Sequence, residues 1–294
     1  MDFRSIQLRA AGFELHADLW EGGTLAHVLL LHGLGGNSIT WHGVAPTLAR
    51  ALKARVLAID LPGFGATRPG PRRVGLDALC QVVESVLCRE AGVRWHVAGN
   101  SLGGVLALRV ACQVPAKVER VTLAAVALPL TWGRSLAEVA ALGGYVPAAV
   151  PWFGRWLVSR HVRRTGVPGV VDGPVRQLFA DPALLDPELR QRLIAVSEHR
   201  LTWADEAARA LEQTSLSLGV ALLHGGRANH WIQSTRCPVR AIYGGRDPLY
   251  PERAWERLQR MRPDWQHIRM PDVGHVPQLE SPDRFAEYML DAHG

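Results

Sequence analysis

Lysine is almost missing from this chain: of its 33 basic residues only Lys53 and Lys117 are lysines, and the rest are arginines. The formal charge of +6 therefore reads as a bias of composition. No helix-turn-helix, RNP-like or zinc-finger spacing accompanies it, so nucleic acid is not an expected partner. Cysteine is scarce as well. The four present, Cys80, Cys88, Cys112 and Cys237, show neither CxxC spacing nor the density of a disulfide framework, which fits buried free thiols in a reducing compartment. Long apolar runs are lacking too. The nearest, starting at Val121, meets Pro129 after about half of the roughly 18 residues that a membrane helix requires, so no stable membrane insertion is expected. The N-terminus has no basic region followed by an apolar run, so the expectation is no signal peptide and a cytoplasmic location.

What is present is ordinary for a compact protein: 294 residues, 48% hydrophobic and 20% charged, enough to bury a large core. Residues 3–20 alternate polar and apolar, which predicts two antiparallel strands meeting at Ala11-Gly12. The run from His27 to His32 is a buried strand. A helix near Trp41 to Leu52, a strand from Arg55 to Asp60 and a helix from Leu76 to Glu90 follow. Then come a strand from Arg94 to Asn100, a helix from Ser101 to Gln113 and a strand from Val118 to Val126. This alternation demands a mostly parallel sheet with helices on both faces. From Pro129 to Thr235 the pattern is helical and broken by glycine and proline. Alternation resumes at Pro238 to Tyr243, with a helix from Glu252 to Met261, a strand from Gln266 to Met270 and a last helix from Pro282 to Ala292. The expected organisation is an α/β core of residues 1–128 and 236–294 carrying a helical insertion of residues 129–235.

A buried strand running into Gly99-Asn100-Ser101-Leu102-Gly103 and straight on into a helix has the pattern of a nucleophile elbow, in which Ser101 is lifted above the sheet. Side chains at positions 99 and 103 would collide with the neighbouring helix and strand, and Gly104 adds room. A serine hydroxyl needs a base, and the base needs an orienting acid. His275, in Val273-Gly274-His275 after the last strand, lies at the sheet edge where Ser101 lies. Asp247, just past the strand ending at Tyr243, reaches the same edge, unless it is spent on a surface pair with Arg246. His199, His230 and His267 read as solvated loop residues. Two backbone N–H groups suit an oxyanion, those of Leu102 and of Leu34 in His32-Gly33-Leu34-Gly35-Gly36. Gly33 and Gly35 let that loop approach substrate, and His32 serves either to hold it or as a second base.

Through HGLGG, DLPGFG, GNSLGG, GGRD and VGHVPQLE, the chain resembles the α/β-hydrolase superfamily, in particular its capped serine esterase and lipase-like branch. It is also similar to carbon-carbon bond hydrolases. The resemblance implies an eight-stranded, mostly parallel sheet, a helical cap after the sixth strand, the Ser101, Asp247 and His275 triad, the Leu34 and Leu102 oxyanion pair, and no cofactor or metal. Thr67 stands where the family usually has serine after DLPGFG. Dehalogenase and epoxide-hydrolase relatives carry aspartate at the nucleophile position, so those activities are not expected.

The expected reaction is hydrolysis of small to medium, apolar carboxylic esters through an acyl-enzyme. Two alternatives stand beside it: cleavage of diketone ring-fission products, whose hydrolases also tend to show an asparagine such as Asn100 before the serine, and non-catalytic binding of a small molecule. The insertion holds Trp132, Trp152, Trp156, Trp203 and Trp231 and balances 11 arginines against 9 acids, a net of +2, so it offers no general field for an anion. Within it, Trp152 to Arg164 has four arginines and no acidic residue. That stretch is either a solvated arginine face or an amphipathic helix resting on a lipid surface.

Overall fold

The alternating N-terminal residues fold as a hairpin, β1 (Arg4–Ala10) pairing antiparallel with β2 (Phe13–Glu21) across Ala11-Gly12. A computed structural model describes residues 1–129, 132, 153–223 and 226–290, with the backbone alone for 153–163. Six further strands complete one sheet: β3 (Ala26–Leu31), β4 (Ala54–Ile59), β5 (Trp95–Asn100), β6 (Val118–Ala124), β7 (Val239–Gly244) and β8 (Gln266–Met270). Their order is β1-β2-β4-β3-β5-β6-β7-β8. β2 meets β4 antiparallel, and every pair beyond is parallel. β5 therefore lies inside the sheet, with Gly99 opposite Leu31 on one side and Leu123 on the other.

Neighbouring residues of a strand point to opposite faces, and the two halves of the core follow that alternation. Leu29 and Leu31 face a cluster built with α2 (Leu76–Leu87) and α3 (Leu102–Gln113). Val28 and Leu30 face the other, built with α1 (Ala45–Ala51). The helix expected over Trp41 to Leu52 is in fact split. Ser38–Trp41 form a 3-10 turn, and α1 starts later, with Pro46 in its first turn where a missing N–H breaks no helical bond. β6 stops at Ala124, short of Val126, because Ala125 turns to a positive φ of 44°.

Between β6 and β7 the described residues form helices and no strand: α4 (Phe153–Leu178), broken at Gly166, then α5 (Pro187–Leu201), α6 (Ala204–Leu223) and α7 (Gly226–Ser234). After β7 come α8 (Glu252–Met261), α9 (Pro277–Glu280) and α10 (Pro282–Leu290). α6 docks by hydrogen bonds onto the start of α2. Gln213 Oε1 accepts from the Val74 N–H at 2.7 Å, Thr214 Oγ1 donates to the Val74 carbonyl at 3.2 Å, and Ser217 Oγ accepts from the Leu76 N–H at 2.9 Å. Ser217 thus supplies the helix cap that Gly75, lacking a side chain, cannot.

Trp132 is buried and Trp231 half-buried in the core cluster of α2 and α3, while Trp203 lies beside Arg200. Trp152 and the Trp156 side chain lie outside the described residues. So do the Arg155, Arg160 and Arg163 side chains, and with them the amphipathic reading of that stretch. Among the described residues no helix is long and apolar enough to cross a membrane.

Candidate active site

Ser101 sits between β5 and α3 with φ 50° and ψ −110°, a conformation that costs a non-glycine residue on the order of 1 to 3 kcal/mol. The surroundings enforce it. A Cβ at Gly99 would overlap the Gly103 carbonyl, and one at Gly103 would overlap the Leu31 carbonyl, so strand, turn and helix close up only with glycine at both positions. The Ser101 N–H donates to the Ala124 carbonyl at 3.0 Å, and its own carbonyl accepts from Gly104 and Val105.

The structure brings His275 and Asp247 together. His275 Nδ1 lies 2.8 Å from Asp247 Oδ2, and both side chains are shielded from solvent. The other carboxylate oxygen accepts from the N–H groups of Leu249 at 2.7 Å and Tyr250 at 3.2 Å. Asp247 is therefore committed inward, and the expected alternative of a surface pair with Arg246 does not form. Among the described residues, Ser101 makes no side-chain hydrogen bond to His275. Bonds of that kind often close only around substrate. The two residues are linked instead through Asn100, whose Nδ2 donates to the Ala124 carbonyl at 3.0 Å and to the His275 carbonyl at 3.2 Å.

The glycine loop passes beside the serine. A Cβ built on Gly33 would stand 3.4 Å from Ser101 Cβ and 2.7 Å from Asn100 Oδ1. Gly36 N–H closes a tight turn onto the Gly33 carbonyl at 3.0 Å, with Gly35 at φ 79°, a conformation favouring glycine. Leu34 occupies a central position of that turn, and Leu102 the first position of α3; neither N–H is engaged by its own turn or helix.

His32 is fully buried, with both ring nitrogens in use. Nε2 accepts from the Leu61 N–H at 3.0 Å, which leaves Nδ1 as the donor to the Gly33 carbonyl at 2.7 Å. Burial holds this imidazole below its usual pKa, against the charge of Asp60 and the Gly33 bond. His32 thus ties the glycine loop to the start of Leu61-Pro62-Gly63-Phe64-Gly65, and it has no nitrogen free to act as a second base. Thr67 ties that second loop to β2: its Oγ1 accepts from His16 N–H at 2.9 Å.

The sequence places His199, His230 and His267 in solvated loops, and the structure differs. His199 and His230 are exposed but helical, and His267 is on β8, half-buried, with Nε2 bonded to the Arg262 carbonyl at 2.8 Å.

A buried polar cluster that the sequence did not suggest lies behind the glycine loop. Asp18 receives Ser5 Oγ and Ser38 Oγ, each at 2.7 Å, and His42 Nε2 at 2.9 Å. Burial opposes the Asp18 charge, yet these three bonds outweigh it and hold the carboxyl below its usual range. Among the described residues no three His, Cys, Asp or Glu side chains gather to hold a metal ion.

The arrangement has relatives. A family model described as alpha/beta hydrolase family matches residues 28–288. The chain is 32% identical over 275 residues to the pimeloyl-[acyl-carrier protein] methyl ester esterase of Aromatoleum aromaticum, covering 90% of this chain and 96% of that one. It is 31% identical to the dihydrolipoyllysine-residue acetyltransferase component of the acetoin cleaving system of Pseudomonas putida, over 92% of this chain but only 63% of that longer protein. Among solved structures, haloalkane dehalogenase DbeA from Bradyrhizobium elkani superposes with a TM-score of 0.78 over 98% of this chain and 97% of its own, at 15% identity. That last likeness concerns the fold alone. With its eight-stranded sheet and with the family model spanning nearly all of it, the chain belongs to the alpha/beta hydrolase family.

Proposed function

We propose that this protein is a serine esterase acting on small to medium, apolar carboxylic esters. The observation that carries the reading is the shielded 2.8 Å bond between His275 Nδ1 and Asp247 Oδ2, at the sheet edge where Ser101 stands on its strained turn. Asp247 fixes the ring so that Nε2 is the free, basic nitrogen. His275 takes the Ser101 proton as Oγ attacks the ester carbonyl, and the carbonyl oxygen gains charge that the N–H groups of Leu34 and Leu102 stabilise. Return of the proton to the alkoxide releases the alcohol and leaves Ser101 acylated. Water, deprotonated by His275, then attacks the acyl-enzyme and frees the acid.

The Aromatoleum relative is named for a methyl ester, which supports an ester as substrate class. The carbon-carbon alternative gains nothing from Asn100, whose amide is committed to two backbone carbonyls. Residues 129–235 act as the cap over the site in this reading.

The test is labelling of the folded protein with a fluorophosphonate probe, with mapping of the adduct, beside turnover of a short p-nitrophenyl ester. The adduct is expected on Ser101, and Ser101→Ala is expected to lose at least about a thousandfold in kcat. Undiminished turnover by Ser101→Ala would sink the proposal. Failure of folded wild type to label would favour the binding-only alternative.

A further inference from the structure

Glu280 is a carboxylate in an unexpected place. It is 4% exposed, pairs with no cation among the described residues, and lies at the end of α9, five residues past His275. Its partners are all backbone N–H groups. Gly274 N–H reaches Oε2 at 2.9 Å and Oε1 at 3.1 Å, and Val276 N–H reaches Oε1 at 3.2 Å. These two peptide groups flank His275. The third donor comes from the cap: Ala180 N–H reaches Oε2 at 2.8 Å. Burial, aided by the charge of Asp247, raises the Glu280 carboxyl above its usual pKa against the pull of these donors, so the carboxylate is kept here at a cost.

Two more observations bind the same pieces. The His275 N–H donates to the Leu178 carbonyl at 2.8 Å, at the end of α4. A Cβ at Gly274 would overlap that Leu178 carbonyl, so the cap backbone lies directly on the histidine loop. Val276 and Leu279, from the loop and α9, share a hydrophobic cluster with Val171, Val175 and Phe179 of the α4 end and Leu193 and Ile194 of α5.

We propose that Glu280 is a positioning residue that holds the peptides on both sides of His275 and fastens the cap to them, so that seating of the cap sets the place of the general base. The proposal rests on the triad assignment above. Asp247 orients the ring from its side chain, and Glu280 fixes the backbone from which the ring hangs. A base displaced by a fraction of an ångström loses rate, while binding groups away from the histidine loop stay in place.

The test compares Glu280→Gln and Glu280→Asp with Ser217→Ala, which weakens the cap-to-core seam at the start of α2 without touching the histidine loop. An amide offers one acceptor oxygen to three N–H groups and turns two hydrogens towards them. Aspartate keeps the charge but is a methylene short. Both variants are expected to lose tenfold to a hundredfold in kcat, with KM changed less than about threefold. Both should also shift or broaden the downfield proton resonance of His275 Nδ1–H. Ser217→Ala is expected to keep kcat and that resonance.

Either Glu280 variant, folded, with kcat within twofold of wild type and an unmoved resonance overturns the proposal. Equal losses in Ser217→Ala also overturn it, since general loosening would then suffice. If Glu280→Gln does not fold, Glu280→Asp decides alone. Ser101→Ala in the same assay keeps the two proposals apart, because an active Ser101→Ala removes the triad reading, whatever Glu280 does.

Discussion

Replacing Asn100 by aspartate exchanges one atom group and reverses the sign of an interaction. In wild type the Asn100 amide donates to two buried carbonyls, Ala124 at 3.0 Å and His275 at 3.2 Å. Asn100→Asp puts an acceptor-only carboxylate against both. Two hydrogen bonds of about 1 kcal/mol each are lost, and the remaining penalty is that of a buried charge without a partner, so the expected destabilisation at neutral pH is about 3 kcal/mol or more. Asn100→Leu removes the donors without adding charge and should cost about 2 kcal/mol.

The two substitutions separate on titration. With one oxygen set against the Ala124 and His275 carbonyls in a buried site, the new carboxyl is held above its unfolded pKa of about 3.9. Its penalty is therefore full above the folded pKa and shrinks as pH falls through it, when the protonated form donates one of the lost bonds. Urea unfolding across the acid range measures this, as the gap between Asn100→Asp and wild type. The gap is expected to narrow towards acid, whereas the gap for Asn100→Leu stays level. An Asn100→Asp protein within about 0.5 kcal/mol of wild type at neutral pH would refute the reasoning, since that is the range of a surface substitution.

Two glycines give opposite expectations for the same change. Gly103→Ala drives a methyl into the Leu31 carbonyl and is expected to abolish folding or cost more than about 4 kcal/mol. Gly219→Ala, inside α6 with nothing within 4 Å of its Cβ, is expected to stabilise by about 0.5 to 1 kcal/mol; thermal unfolding of both checks the pair. His96 is fully buried and bonded to Thr122, and burial pushes its pKa down to about 3. A depressed value means that the contribution of neutral His96 is present above about 6.5 and is lost as pH falls below it, by about 1.4 kcal/mol at about pH 5.5. His96→Gln, which cannot charge, should flatten the unfolding free energy over that interval by about this amount, and an unchanged slope would count against a buried neutral ring.

Much of the candidate site is legible in local pattern because a strand-turn-helix elbow is a local device. Ser101 is marked by the glycines at 99 and 103, whose need arises within five residues, and Gly35 marks a turn of four. Strand ends point to His275 and Asp247, because parallel strands bring their carboxyl ends to one edge. What the pattern could not yield were the partners. Arg246 adjoins Asp247 in sequence yet takes no part, because the Asp247 carboxylate closes on Leu249, Tyr250 and His275. Glu280 stands in VGHVPQLE, yet nothing local marks its bonds, since Ala180, one of its donors, is 100 residues away.

The sequence by itself determined the alternation of strands and helices, the helical stretch between β6 and β7, and the serine, because each depends on periodicity or sterics among near neighbours. Only the tertiary structure decided that His32 spends both nitrogens on loop backbone, that Asn100 spans to the His275 carbonyl 175 residues on, and that the end of α4 lies on the histidine loop. These are bonds between loops that become neighbours through the order of strands in the sheet. That order is set by how the whole chain buries its apolar faces, and no local run of residues encodes it.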